Sequence, residues 1–287
     1  MAIQFTDHGK PIPNGNLLIV DGLNIAFRWK HAGNLAFCDE YIRTIKSLAK
    51  SYDCGEIVVL GDGGSDYRKE LYPEYKANRK ERFAEQTKEE EELFLEFISE
   101  LEFTMKTLRE KENILTLKYK GVEADDIAAF LCENRENMGL ENIWLISSDK
   151  DWDLLVDENI SRFSTVTRKE ITLDNWDEHY DFDPEQYLTF KCLTGDKGDN
   201  VPGVMGVGPK RAVTLMQNMG DIFDIANSLP IHGKYKYIEN LNNFGKDQLL
   251  LNVELMDLKL NPVSHIGVEN AQEILEKVEN YVSEDRL

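Results

Sequence analysis

Three short runs of consecutive apolar residues stand out of a mixed chain: Leu17–Val20, Ile57–Leu60 and Ile143–Ile146. Each is rich in β-branched residues and too short for a buried helix, so each predicts a strand buried on both faces, as in a parallel sheet. Between the first two, Tyr41 to Leu48 has helical spacing. This β-α-β alternation predicts an α/β fold, a doubly wound and mostly parallel central sheet flanked by helices. Leu115 to Tyr119 alternates and predicts a further strand. Arg162 to Leu173 predicts a hairpin turning near Arg168 and Lys169. From Lys88 to Arg109, Phe94, Phe97, Ile98, Leu101, Met105 and Leu108 fall on one helical stripe, and the acids after Lys88 suit a helix N-terminus. Beyond Phe182 the texture becomes helical, with Asp183 as a cap and Pro184 at the first helical position. Two regions are expected, an α/β core over 1–182 and a helical region over 183–287.

Hydrophobic residues make up 41% of the 287 and aromatics 10%, enough for a buried core. Nothing approaches 18 consecutive apolar residues, so no membrane span is expected. The segment before Leu17 lacks the basic start and apolar run of a signal peptide. Cys38, Cys54, Cys132 and Cys192 are far apart, which argues against a zinc site and fits a reducing cytoplasm. The five histidines are scattered, and no GxSxG elbow or GxxxxGK[ST] loop occurs.

Chemistry enters with the acids. Val20 is followed by Asp21, Leu60-Gly61 by Asp62, and Ile146-Ser147-Ser148 by Asp149 and Asp151. Parallel strands end at one sheet edge, where ligands bind, so these four carboxylates are expected to converge. Glu123, Asp125 and Asp126 open a helix with Glu123 and Asp126 on one face, and Asp196 and Asp199 form another pair. Asp125 and Asp126 equally suit helix capping, and Asp196 and Asp199 equally suit a turn. Asp153 reads as a surface residue. Carboxylates gathered unpaired repel one another, whereas hard divalent cations stabilise them. Oxygen-only ligands select Mg²⁺, with Mn²⁺ as a substitute, and an acidic cluster without histidines points to a two-metal phosphodiesterase site.

The formal charge of −20 would repel phosphate if it were evenly spread. It is not. Arg68, Lys69, Lys76, Arg79, Lys80, Arg82 and Lys88 are concentrated in one segment, interleaved with Tyr67, Tyr72 and Tyr75. That pattern suits a nucleic-acid backbone with base stacking, and it equally suits a basic surface loop. In the segment from Pro202 to Ala212, Gly203, Gly206 and Gly208 allow close backbone approach. Pro209 starts a helix whose N-terminus, with Lys210 and Arg211, can hold a phosphate. A tight helix–helix turn reads the same way.

Taken together, IVDGLN, VLGD, EYKANR, GVEADD, LISSDKDWD, TGDKGDN and GVMGVGPKRA occur in an order that resembles the structure-specific 5′-nuclease family. That family includes bacteriophage flap endonucleases and 5′-3′ exonucleases and the 5′-nuclease domain of bacterial DNA polymerase I. The resemblance covers about residues 17 to 260. It implies a PIN-like nuclease core, a helical arch over about 76–112, and a helix-three-turn-helix that grips duplex DNA, with K⁺ held by its loop carbonyls. By position, Asp21, Asp62, Glu123, Asp125, Asp126, Asp149, Asp151, Asp196 and Asp199 match the metal-site carboxylates. Asp62, Glu123 and Asp125 are implied near one Mg²⁺ ion and Asp149, Asp151 and Asp196 near the other, with Asp21 and Asp199 acting through water. Lys76 and Arg79 match the cations that stabilise the scissile phosphate, and Tyr75 matches a residue that stacks on a flipped base. The resemblance implies a monomeric cytoplasmic nuclease acting on branched or 5′-flap DNA beside replication proteins. A PIN-type ribonuclease and a non-catalytic branched-DNA scaffold are the alternatives.

Overall fold

The apolar runs form the centre of a six-stranded sheet. In the computed structural model, which describes residues 15–284, the strands are β1 (Asn16–Asp21), β2 (Glu56–Leu60), β3 (Leu115–Leu117), β4 (Asn142–Ile146), β5 (Ile160–Ser164) and β6 (Lys169–Ile171), in the order β3-β2-β1-β4-β5-β6. The first five are parallel, and β6 pairs antiparallel with β5. The β5–β6 hairpin turns at Arg168, whose φ of +56° is left-handed. The N-terminal segment read for a signal peptide lies largely outside the described residues.

The helices are α1 (Gly22–His31), α2 (Cys38–Ser51), α3 (Asp66–Leu71), α4 (Ala77–Ala84), α5 (Lys88–Lys111), α6 (Ala124–Glu133), α7 (Tyr187–Thr194), α8 (Pro209–Met219), α9 (Ile222–Ser228), α10 (Lys236–Met256), α11 (Pro262–Ile266) and α12 (Val268–Glu284). A 3-10 helix spans Lys150–Leu155. Among the described residues, no helix is long and apolar enough to cross a membrane.

The chain forms two compact units. The first takes the chain up to Tyr67, Gln86–Leu173 and the chain from Asn261; the second takes Arg68–Glu85 and Asp174–Leu260. The two units are interleaved along the chain. In the first unit, Leu18, Val20, Ile57, Val59 and Ile146 face α1, α2 and α5, burying Ile25, Tyr41, Ile45, Phe97, Leu101 and Leu108. Alternate strand residues such as Leu17, Ile19 and Val58 point to the opposite face and are fully buried as well. There α6 packs on β1 and β2, and α12 lies at β3. The acidic tail, whose role the sequence does not disclose, thus covers a sheet edge. Tyr119 donates to Glu273 at 3.2 Å and Lys277 donates to the Tyr119 hydroxyl at 3.3 Å.

Helix α5 begins as the charge pattern predicts. Thr87 and Glu90 form a reciprocal capping box, and Glu89 to Glu91 occupy the first turn. The second unit is helical. Its core gathers Tyr75, Leu193, Val204, Val207, Leu215, Met216, Ile225, Leu241 and Leu249, and Arg68 is buried with its Nε donating to the Leu255 carbonyl at 2.8 Å.

Candidate active site

Strand register places the first unit's acids. Asp21 is the last residue of β1, beside Leu60 of β2, and Val20 is beside Ile146 of β4. The loops that leave β1, β2 and β4 therefore start from one edge. Asp21 caps α1, accepting from the Asn24 amide at 3.0 Å. Its other oxygen accepts from the Ser147 hydroxyl at 3.0 Å, and that hydroxyl in turn accepts from the Asp149 amide at 3.1 Å. Asp21 is 9% exposed. Burial, reinforced by the Asp149 and Asp62 carboxylates, pushes its carboxyl up to about 7 despite the two hydrogen bonds. The edge is thus a place where negative charge is in excess.

Asp62 is held by its own turn, accepting from the Gly64 amide at 2.7 Å. That turn is tied to the chain before α6: Gly63 donates to Val122 at 2.9 Å, Gly121 to Gly63 at 2.9 Å and Asp66 to Gly121 at 3.0 Å. A side chain on Gly63 would collide with the Tyr119 carbonyl at 1.8 Å, so only glycine permits this approach. Glu123, buried at the N-cap of α6, does not use its side chain as the cap. Asp125 accepts from the Trp152 indole at 2.6 Å, which links α6 to the 3-10 helix carrying Asp151. Asp149 caps that helix through the Asp151 amide at 3.0 Å. Asp21, Asp62 and Asp149 are thus within electrostatic reach of one another. Asp125 is bonded to the segment that bears Asp151.

Two acids of this region have other partners. Asp126 is buried against His265, with Oδ1 3.1 Å from Nδ1. Asp153, which the sequence suggests is at the surface, is instead buried. It pairs with Arg162 through Nε and through Nη2 at 2.9 Å, while Arg162 Nη1 donates to the Ser147 carbonyl at 2.8 Å.

In the second unit, Asp196 and Asp199 shape one turn. Asp196 accepts from the Gly198 and Asp199 amides at 2.7 and 3.1 Å, and Lys191 lies 3.5 Å from its other oxygen. Asp199 receives the predicted cations. Arg79 is 2.7 Å and Lys76 3.5 Å from its oxygens, and the Tyr75 hydroxyl donates at 3.1 Å. Burial opposes ionisation of Asp199, but the adjacent Lys76 and Arg79 charges win and hold its carboxyl below the usual range. Lys76 is left-handed at φ +56° and donates its amide to Asp199, so the basic segment is bonded to the acidic turn. Tyr75 is only 4% exposed, buried in the core, and presents no open face to a base. Lys80 and Arg82 are exposed on α4.

The glycine-rich segment joins α7 to α8. Gly195 and Gly203 face each other so closely that a side chain on Gly203 would lie 2.1 Å from the Thr194 carbonyl, so Gly203 serves the turn itself. Gly206 has φ +84°, and its carbonyl accepts from Arg211 at 2.6 Å; the Met205 carbonyl accepts from Asn240 at 2.7 Å. Gly208 opens onto space, directly before Pro209 and the exposed Lys210 and Arg211. Arg211 also lies over the Tyr237 ring, which stacks on the exposed Tyr235. Neither tyrosine stands out in the sequence, because nothing local signals their approach to the glycine loop.

The first unit also holds a basic feature with no sequence motif. A cavity of about 420 Å³ is lined by Arg28, Arg43 and Arg168 beside Trp29, Thr44 and Phe163. These arginines come from α1, α2 and the hairpin turn, so only the fold gathers them.

Comparison with known proteins adds the following. Residues 16–181 match the N-terminal resolvase-like domain of the 5′-3′ exonuclease family, and residues 182–280 match its C-terminal SAM fold. The flap endonuclease of Escherichia phage T5 is 42% identical over 265 residues, covering 91% of this chain and 89% of that protein. A 5′-3′ exonuclease of Buchnera aphidicola is 30% identical over 271 residues, covering 87% and 88%. A crystal structure of the bacteriophage T5 flap endonuclease, a pseudo-enzyme–product complex with DNA and metal ions, superimposes with a TM-score of 0.87 at 38% identity, covering 93% of this chain and 99% of that one.

Proposed function

The chain belongs to the 5′-3′ exonuclease family and is a hydrolytic nuclease, and from that premise we propose that it cuts DNA phosphodiesters at 5′ flaps and nicked duplex junctions with two divalent cations. The observation that carries the reading is the excess of carboxylate at the strand ends. Burial above all, with a smaller contribution from the Asp149 and Asp62 charges, raises Asp21 to about 7. A cation removes that penalty, and an all-oxygen donor set suits Mg²⁺ or Mn²⁺. Within the first unit, the donors are Asp62, Glu123 and Asp125 for one ion and Asp149 and Asp151 for the other, with Asp21 acting through water. Bound there, divalent cations supply an activated water and charge neutralisation for the leaving 3′-oxygen.

The chain's own groups do the rest. Lys76 and Arg79 exchange Asp199 for the scissile phosphate and offset charge on its oxygens. Lys80 and Arg82 guide the strand. The open backbone at Gly208, with Lys210 and Arg211, takes a duplex phosphate at the start of α8, a contact that reads backbone rather than sequence. The same reading has K⁺ held by carbonyls of this helix-three-turn-helix loop. The products are a 5′-phosphate and a 3′-hydroxyl, as flap and primer removal during replication requires.

Labelled 5′-flap DNA and a matched RNA test this. Cleavage of the DNA is expected to stop with EDTA and to return on addition of excess Mg²⁺. DNA binding without cleavage in Mg²⁺, or cleavage of the RNA alone, contradicts it.

A further inference from the structure

Among the described residues, His265 is the histidine whose surroundings bear on the acidic edge. It sits on α11, a five-residue helix fixed at both ends by its backbone: Asn261 is left-handed at φ +49°, Pro262 starts the helix, and Gly267 ends it at φ +89°. The imidazole is 1% exposed. Nδ1 lies 3.1 Å from Asp126 Oδ1, and an ionised Asp126 requires Nδ1 to be the protonated, donating nitrogen. The ring also packs on Tyr67, with centroids 4.5 Å apart and planes at 41°. Among the described residues, Nε2 is buried without a hydrogen-bond partner, and Nδ1 makes the ring's hydrogen bond.

Both neighbours belong to segments that carry site acids. Tyr67 follows the Asp62 turn by a few residues and lies in the first turn of α3. Asp126 is in the first turn of α6, next to Asp125 and three residues from Glu123. The two segments are already joined by the backbone bonds among Gly63, Asp66, Gly121 and Val122. His265 joins the same two segments, with a ring contact to one and a hydrogen bond to the other.

We propose that His265 is a positioning residue for the nuclease reaction: through Asp126 and Tyr67 it fixes the α6 N-terminus against the Asp62 turn, and Asp126 acts through this clasp rather than as a cation ligand. The inference rests on the metal-dependent cleavage proposed above. An outer partner that orients ligating carboxylates is worth roughly 10–100-fold in metal affinity or activity. That is far less than a ligand itself contributes.

The test compares full-length variants on 5′-flap DNA, reading kcat, the Mg²⁺ concentration for half activation, and DNA binding in EDTA. His265→Phe keeps a ring for Tyr67 and loses the donor. It is expected to lower kcat and raise the half-activating Mg²⁺ by roughly 10–100-fold, with DNA binding unchanged. His265→Asn places an N–H close to Nδ1 and is expected to recover most of the loss. Asp126→Leu, similar in shape to aspartate, is expected to match His265→Phe, and the double variant to be no worse than either. Asp126→Leu and His265→Asn carry the test if the Phe variant does not fold. Wild-type kcat and Mg²⁺ dependence in His265→Phe, no recovery in His265→Asn, or a loss in Asp126→Leu far beyond that of His265→Phe would overturn the assignment. A wild-type chain inactive on flap DNA overturns the functional reading and this one with it, whereas an active wild type with an equally active Phe variant overturns this one alone.

Discussion

Replacing Asp149 by Asn is expected to abolish turnover on 5′-flap DNA to within assay limits, a loss of at least about 10³-fold, or ~4 kcal/mol of transition-state stabilisation. The fold is expected to survive. Asp149 is exposed, and its structural duty is to accept from the Asp151 amide, which an Asn side-chain oxygen also does. The substitution also removes one of the charges that press on Asp21. Thermal stability should therefore hold or rise slightly, and affinity for flap DNA in EDTA should be retained. The loss belongs to the chemical step: an amide is a poorer ligand for a hard cation than a carboxylate, and one negative charge is gone from the site. Near-normal turnover in this variant would remove Asp149 from the site.

Asp153→Ala, four residues along the same segment, should do the reverse. It strands the buried Arg162 guanidinium, which pairs with Asp153 and also donates to the Ser147 carbonyl. Breaking a buried pair by removing one partner costs about 3–5 kcal/mol. The expected result is a large drop in the unfolding midpoint in urea or on heating, before any question of catalysis. Asp153→Leu combined with Arg162→Met, which takes away both charges, is expected to recover much of that loss, because a buried pair replaced by apolar groups of similar volume is often close to neutral. A single Asp153→Ala variant as stable as its parent would show that the pair contributes nothing. The Ser147 carbonyl held by Arg162 belongs to the residue whose hydroxyl bonds Asp21, so the structural acid also steadies the acidic edge.

The contrast between these two acids marks where the sequence stops being legible. LISSDKDWD offers Asp149, Asp151 and Asp153 at even spacing, and nothing local separates them. Arg162, on β5, makes the distinction, and only the pairing of β5 with β4 brings it there. The strands themselves were legible because parallel strands buried on both faces are written as unbroken apolar runs, and the acids after them follow from where such strands end. Tyr75 shows the opposite case. Its place among lysines and arginines suggests a stacking surface, but the ring is buried in the second unit's core and its hydroxyl bonds Asp199, 124 residues away. Asp126 is read as part of one acidic motif, yet its partner His265 lies 139 residues along the chain. Single histidines and buried arginines carry no periodic signal, so their roles depend on long-range packing.

Catalysis by the strand-end acids requires that their carboxylates hold divalent cations. Anomalous diffraction from crystals soaked in Mn²⁺ measures this most directly. Manganese peaks are expected in direct contact with carboxylate oxygens of Asp62 and Asp149, weakened or lost in Asp149→Asn. Fully occupied manganese elsewhere on the molecule, with these carboxylates bare, would contradict it.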